Sequence, residues 1–125
     1  MEKMNNILLV EDDETTNFIS RIILKNAGFQ NVEEVLNGME ACKHLEKECP
    51  DIILLDLNMP VMDGWEFLDE KKVNAPCKKT KIAILTSSIH PNDLKRAENY
   101  PCVIAYFEKP LTDGKLEELK KKLAY

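Results

Sequence analysis

The sequence predicts a doubly wound α/β domain in which five parallel strands form one sheet with helices on both faces. Two observations predict it. Short β-type runs alternate with stretches of helical periodicity along the whole chain, in the order βαβαβαβαβα. Several of the runs, such as "ILLV", "IILL" and "IAIL", are almost wholly apolar, which suits strands covered on both faces. Alternation of this kind implies a parallel sheet with right-handed crossovers.

The strand runs are "ILLV" (7–10), "VEEV" (32–35), "IILL" (52–55), "IAIL" (82–85) and "VIAYF" (103–107). The first helix is expected from Thr15 to Ala27. Phe18, Ile19, Ile22, Ile23 and Ala27 form its apolar face, and Gly28 is a natural stop. The second is expected from Gly38 to Cys49, with Ala41, Cys42 and Leu45 inward and Pro50 ending it. A shorter third helix runs from Trp65 to about Lys72, after the turn and cap signal Asp63-Gly64. The fourth spans Pro91 to Asn99, with proline in its first turn. The last begins near Thr112 and carries Leu116, Leu119 and Leu123. The "KKK" at 120–122 reads as a solvated face near a helix C-terminus.

At 125 residues the chain suits one domain, 1–125, with one core. Hydrophobic content of 44% and charged content of 31% are ordinary for a globular protein. The apolar runs are too short to span a membrane, and the N-terminus lacks a signal-peptide layout. A net charge of −5 argues against nonspecific DNA binding. Cys42, Cys49, Cys77 and Cys102 form no CxxC pair, and His44 and His90 complete no zinc pattern. The expectation is four free thiols in a reducing cytoplasm, with both histidines as exposed polar residues.

In a doubly wound sheet the C-terminal strand ends share an edge where ligands bind. Glu11, Asp12 and Asp13 follow the first strand, Asp56 the third, Thr86 to Ser88 the fourth, and Lys109 and Pro110 the fifth. If the first and third strands are neighbours, Glu11, Asp12 and Asp56 crowd one site. Like charges ~5 Å apart repel by roughly 3 kcal/mol per pair at an effective dielectric near 20. A hard divalent cation relieves that repulsion, and Mg²⁺ favours a few carboxylates with carbonyls, waters and phosphate. Each residue has a plainer reading. Asp12 or Asp13 could cap the first helix, with Asp13 or Glu14 expected near its start; Thr86 and Ser87 could be a turn, and Lys109 a surface charge. The ordered set across four strand ends is what the plain readings leave unexplained.

With "LLVEDD", "LLDLNMPVMDG", "LTSS" and "YFEKP", the chain resembles the receiver domain of two-component response regulators, of the single-domain chemotaxis type, over essentially its whole length. The resemblance implies a flavodoxin-like fold with strand order 2-1-3-4-5, an order known for this family. It implies Asp56 as phospho-acceptor, Asp12 as direct Mg²⁺ ligand, and Glu11 as the second acidic-pocket residue, acting directly or through water. Asp56 and the Asn58 backbone carbonyl complete the implied metal site. Thr86 and Lys109 match the hydroxyl and lysine that contact the phosphoryl group. Thr86 and Tyr106 match the switch pair, and Pro110 matches a proline whose peptide bond is often cis. Asn58 and Ser88 flank the expected approach of hydrolytic water. The stretch "AENYPCVIAY" departs from the family's usual Ala-Gly-Ala, which implies a shortened or reshaped fourth helix and following loop. Glu108 adds a charge beside Lys109.

The function so implied is a phosphoryl-accepting switch rather than an enzyme acting on an external substrate, with self-catalysed phosphoryl transfer and dephosphorylation. A sensor histidine kinase or phosphotransfer protein would be the donor, and a downstream protein the target. No effector domain follows the receiver run, so output would pass through protein contacts unless the chain is an excised piece. Three other readings fit the sequence less well. A Mg²⁺ phosphatase with an aspartate nucleophile often has a second aspartate two residues on, where this chain has Asn58. An FMN phosphate would meet repulsion from Glu11-Asp12-Asp13. A phosphorylation-independent interaction module would not need the complete set of site residues.

Overall fold

The computed structural model describes residues 6–74, 77–87 and 89–123. The strands are β1 (Asn6–Val10), β2 (Asn31–Val35), β3 (Ile52–Leu55), β4 (Lys81–Thr86) and β5 (Val103–Glu108). The helices are α1 (Glu14–Asn26), α2 (Gly38–Lys47), α3 (Gly64–Asn74), α4 (Pro91–Ala97) and α5 (Asp113–Lys122). The strands form one parallel sheet in the order β2-β1-β3-β4-β5. The doubly wound (βα)5 expectation and its strand order are both met. The fourth helix is indeed short, ending at Ala97 rather than Asn99.

Alternation along the strands sends side chains to opposite faces, and two cores result. One contains Ile7, Leu9, Ile52, Leu54, Ala83 and Leu85 and is closed by Leu24 of α1 and Leu116 and Leu119 of α5. The other contains Leu8, Val10, Ile53, Leu55, Ile82 and Ile84. It is closed by Ala41 and Leu45 of α2, Phe67 and Leu68 of α3 and Ala97 of α4. Double coverage explains why the central runs read as unbroken apolar stretches.

The caps follow from short polar side chains. Asp13 accepts from the Thr16 amide at 2.9 Å and so starts α1. Asn37 and Glu40 form a reciprocal pair at the start of α2: Asn37 Oδ1 accepts from the Glu40 amide, and Glu40 accepts from the Leu36 amide, each at 2.9 Å. At α3, Asp63 accepts from the Glu66 amide at 2.9 Å and Glu66 accepts from the Asp63 amide at 3.0 Å, a capping box. Thr112 caps α5.

Four expectations need correcting. The apolar face assigned to α1 is wrong in orientation. Phe18 is 64% exposed, and Ile19 and Ile22 are exposed too, while Ile23 and Ala27 are only partly buried. The buried residues are Asn17, Ser20 and Leu24. At 100° per residue the buried set is centred about 140° around the helix from the expected face. The cause is polar: Asn17 Nδ2 donates to the Glu11 carbonyl at 3.1 Å, tying the helix to the end of β1. The cysteines are not all free. Cys49 and Cys77 form a disulfide, with Cα atoms 5.3 Å apart across 28 residues of sequence, and Cys42 and Cys102 are the free pair. Spacing rules for local motifs do not reach a pair brought together by the packing of two βα units. Helix α2 also stops at Lys47, so Cys49 lies beyond it. His90 is exposed, but His44 is half-buried and faces Glu33 at 3.6 Å.

Candidate functional site

The C-terminal strand ends lie along one edge, and the parallel registers fix which residues meet there. Val10 pairs with Leu55, and Thr86 pairs with Glu108. The chain then leaves each strand with its ladder continued by one bond. The Asp56 amide donates to the Val10 carbonyl at 3.0 Å, the Glu11 amide to the Val35 carbonyl at 3.1 Å, and the Lys109 amide to the Thr86 carbonyl at 2.7 Å. Glu11, Asp56 and Lys109 are thereby mounted on the sheet itself rather than on free loops.

Glu11 and Asp56 are 5% and 4% exposed, whereas Asp12 is exposed. One carboxylate oxygen from each of the three lies within 4.8 Å of the others. The Lys109 ammonium sits 2.5 Å from Glu11 Oε1 and 3.4 Å from Asp56 Oδ2. Glu11 Oε2 also accepts from the Asp13 amide at 3.1 Å. Burial pushes the Glu11 carboxyl up to about 7; the Lys109 hydrogen bond opposes this, and the Asp56 charge adds to it. Burial works against the Lys109 ammonium, but Glu11 and Asp56 outweigh it, so its pKa rises. The net effect is an electron-rich oxygen cluster with one resident cation. Three hard oxygen donors at this spacing fit a Mg²⁺ ion.

The other anticipated residues fall around this cluster. The Asn58 amide points at Asp56 Oδ1 from 3.4 Å, too long for a strong bond. Thr86 is buried at the end of β4. Tyr106 pairs with Ile84, so it lies one diagonal step behind Thr86 on the same sheet face. Its hydroxyl is buried without a hydrogen-bond partner, and burial pushes its pKa up to about 12. The Lys109-Pro110 peptide is cis. Asp13 turns its side chain to the α1 cap, away from the metal-type cluster. Ser88 lies outside the described residues.

Two supporting residues had no role in the sequence reading beyond local structure. Asn17 fixes the Glu11 carbonyl, but a polar residue in a helix gives no sign of facing inward. Gly64 lies against the acceptor loop: a Cβ there would be 2.5 Å from the Asp56 carbonyl oxygen and 2.8 Å from Leu57 Cα. Between them the β3–α3 loop closes on a Met62 amide to Pro60 carbonyl bond of 2.8 Å, with Val61 at φ 70°. A β-branched residue in that region is strained.

The chain is similar to known proteins over nearly its whole length. The family described as "Response regulator receiver domain" matches residues 7–121. Chemotaxis protein CheY-3 of Vibrio cholerae is 28% identical over 98% of this chain and 94% of its own length. The probable transcriptional regulator ycf29 of Porphyra purpurea is 32% identical over 96% of this chain, which spans only 56% of that relative. A two-component response regulator from Cytophaga hutchinsonii superposes with a TM-score of 0.89 at 32% identity, covering 99% of this chain and all (100%) of that one. The chain therefore belongs to the response regulator receiver domain family, whose members accept a phosphoryl group on aspartate in two-component signalling.

Proposed function

We propose that residues 1–125 form a single cytoplasmic receiver domain in which Asp56 is the phosphoryl acceptor and Glu11, Asp12, Asp56 and the Asn58 carbonyl hold Mg²⁺. The observation that carries this reading is the convergence of three carboxylates and one ammonium at a single sheet edge. Receiver domains bind Mg²⁺ in an acidic pocket, and the oxygen cluster here suits it. Bound there, the ion supplies positive charge to the phosphoryl oxygens.

The steps use this chain's own groups. An Asp56 oxygen attacks phosphorus of a phosphohistidine, on a sensor histidine kinase or phosphotransfer protein, or of a small phosphodonor. The bond from phosphorus to the donor breaks, and the donor leaves with the electron pair. Lys109 moves from carboxylate to phosphoryl oxygens and offsets their charge. Thr86 donates its hydroxyl to a phosphoryl oxygen, a charge-assisted bond stronger than a neutral one. In this structure the Tyr106 hydroxyl is already buried, so the Thr86 bond would hold the ring inward rather than first draw it in. The α4–β5–α5 surface then changes for a downstream protein target. Water attack resets Asp56, with Asn58 and Ser88 setting its approach.

Asp56→Asn should abolish base-labile labelling by acetyl phosphate, and equal labelling of the variant would move the acceptor elsewhere. Asp12→Ala should weaken Mg²⁺ binding, read by Trp65 fluorescence, far more than Asp13→Ala. Similar affinities for the two would overturn the ligand assignment.

A further inference from the structure

The disulfide lies at the opposite edge of the sheet from the carboxylates. Cys49 follows α2 and precedes β3; Cys77 follows α3 and precedes β4. Strands β3 and β4 are paired there, Ile52 with Lys81. Cys49 is exposed and Cys77 half-buried, and both line a concavity of about 460 Å³ with Asp51, Lys78, Lys79 and Thr80. The disulfide therefore faces a surface concavity rather than the buried part of either core.

We propose that Cys49–Cys77 is a thiol–disulfide exchange site, opened by a vicinal dithiol of the thioredoxin class and reclosed by a small disulfide oxidant. Three features support exchange over a purely structural link. The first is access: Cys49 is the exposed residue of the pair, so its sulfur is the one to be attacked. The second is charge: Lys78 and Lys79 line the concavity together with Asp51, and cations stabilise a leaving thiolate. The third is that the surrounding bonds remain when the sulfurs part. Thr80 Oγ1 donates to the Pro50 carbonyl at 2.6 Å, and the Cys77 carbonyl accepts from the Thr80 amide at 3.1 Å and from Lys71 Nζ at 3.2 Å. The Cys77 sulfur lies 3.6 Å from the Leu45 carbonyl near the end of α2, where a freed S–H has an acceptor waiting. The two thiols thus stay close enough to reclose.

The step balances. A dithiol thiolate attacks Cys49 Sγ, the S–S bond breaks, and its electron pair leaves on Cys77 Sγ, which takes a proton from water. The second thiol of the reagent, deprotonated, attacks the mixed disulfide and releases Cys49, which is protonated in turn. The protein gains two electrons and two protons, and the reagent becomes a cyclic disulfide.

The test uses the full chain with Cys42→Ser and Cys102→Ser, leaving the one pair. Dithiothreitol is the probe, glutathione disulfide the oxidant, and alkylation with mass spectrometry the readout. The expected result is an opening rate that rises in proportion to dithiothreitol under native conditions, followed by full reclosure to the Cys49–Cys77 cross-linked peptide. An opening rate that levels off at the global unfolding rate, or failure to form that peptide, would overturn the proposal.

Discussion

Gly64→Ala isolates the constraint that the β3–α3 junction places on the acceptor residue. The new Cβ would stand 2.5 Å from the Asp56 carbonyl oxygen, against 3.4 Å for ordinary contact, so the backbone must yield by about 0.9 Å. A second backbone atom, Leu57 Cα, lies at 2.8 Å, so no rotamer change relieves the clash. Overpacking of this kind costs about 1–3 kcal/mol, and backbone contacts put this site at the upper end. Alanine's helix preference returns at most about 1 kcal/mol, less at a first helical residue. The net loss is about 2 kcal/mol, and a domain of this size should melt about 6–10 °C lower. The Gly64 amide also donates to the Leu57 carbonyl at 3.0 Å, so the displacement reaches Asp56 directly. A 1 Å misplacement can cost about a hundredfold in rate, so acetyl phosphate labelling should fall well beyond the stability loss. Gly114→Ala is the control, since its Cβ would meet nothing nearer than 4.0 Å in α5. Urea unfolding followed by circular dichroism checks both. A Gly64→Ala protein as stable as the wild type would refute the reasoning.

Four further outcomes follow from the geometry. Replacing Cys49 and Cys77 together by serine opens a loop of 28 residues and should lower stability by about 3–4 kcal/mol on the chain-entropy account; coincident urea curves for the oxidised protein and the variant would show that the link contributes nothing. Tyr106→Phe removes a buried hydroxyl that has no partner, so stability should rise by about 1 kcal/mol rather than fall. Burial raises the Tyr106 pKa from 10.0 to about 12, so the neutral phenol contributes stability fully below pH 10 and loses it as pH rises through about 12; wild type should weaken there relative to Tyr106→Phe. Phe18→Ser on the exposed side of α1 should change stability by less than about 0.5 kcal/mol, while Leu24→Ala should cost about 2–5 kcal/mol; the reverse ranking in urea melts would restore the other face of the helix.

The strands were the most legible part of the chain. β1, β3 and β4 are covered on both faces, so burial alone writes their pattern, and the expected runs match within a residue. The acidic cluster was legible for a related reason. Parallel topology sends every strand's C-terminus to one edge, so residues far apart in sequence can be placed together before any contact is known. Asp13 and the Asp63-Gly64 pair were legible as caps, because capping is decided within four residues.

What sequence pattern could not supply was the set of contacts made by polar atoms across elements. Apolar periodicity alone points the face of α1 bearing Phe18, Ile19 and Ile22 toward the core. The helix instead turns Asn17 inward, because the Glu11 carbonyl at the end of β1 needs a donor and Asn17 Nδ2 provides it at 3.1 Å. An unmet buried carbonyl costs about 1–3 kcal/mol, comparable to the gain from burying one more large apolar side chain. The same contact holds the backbone of a residue whose carboxylate belongs to the acidic cluster. The orientation of α1 is therefore set by the functional edge, and the apolar residues displaced from the core become its exposed outer surface.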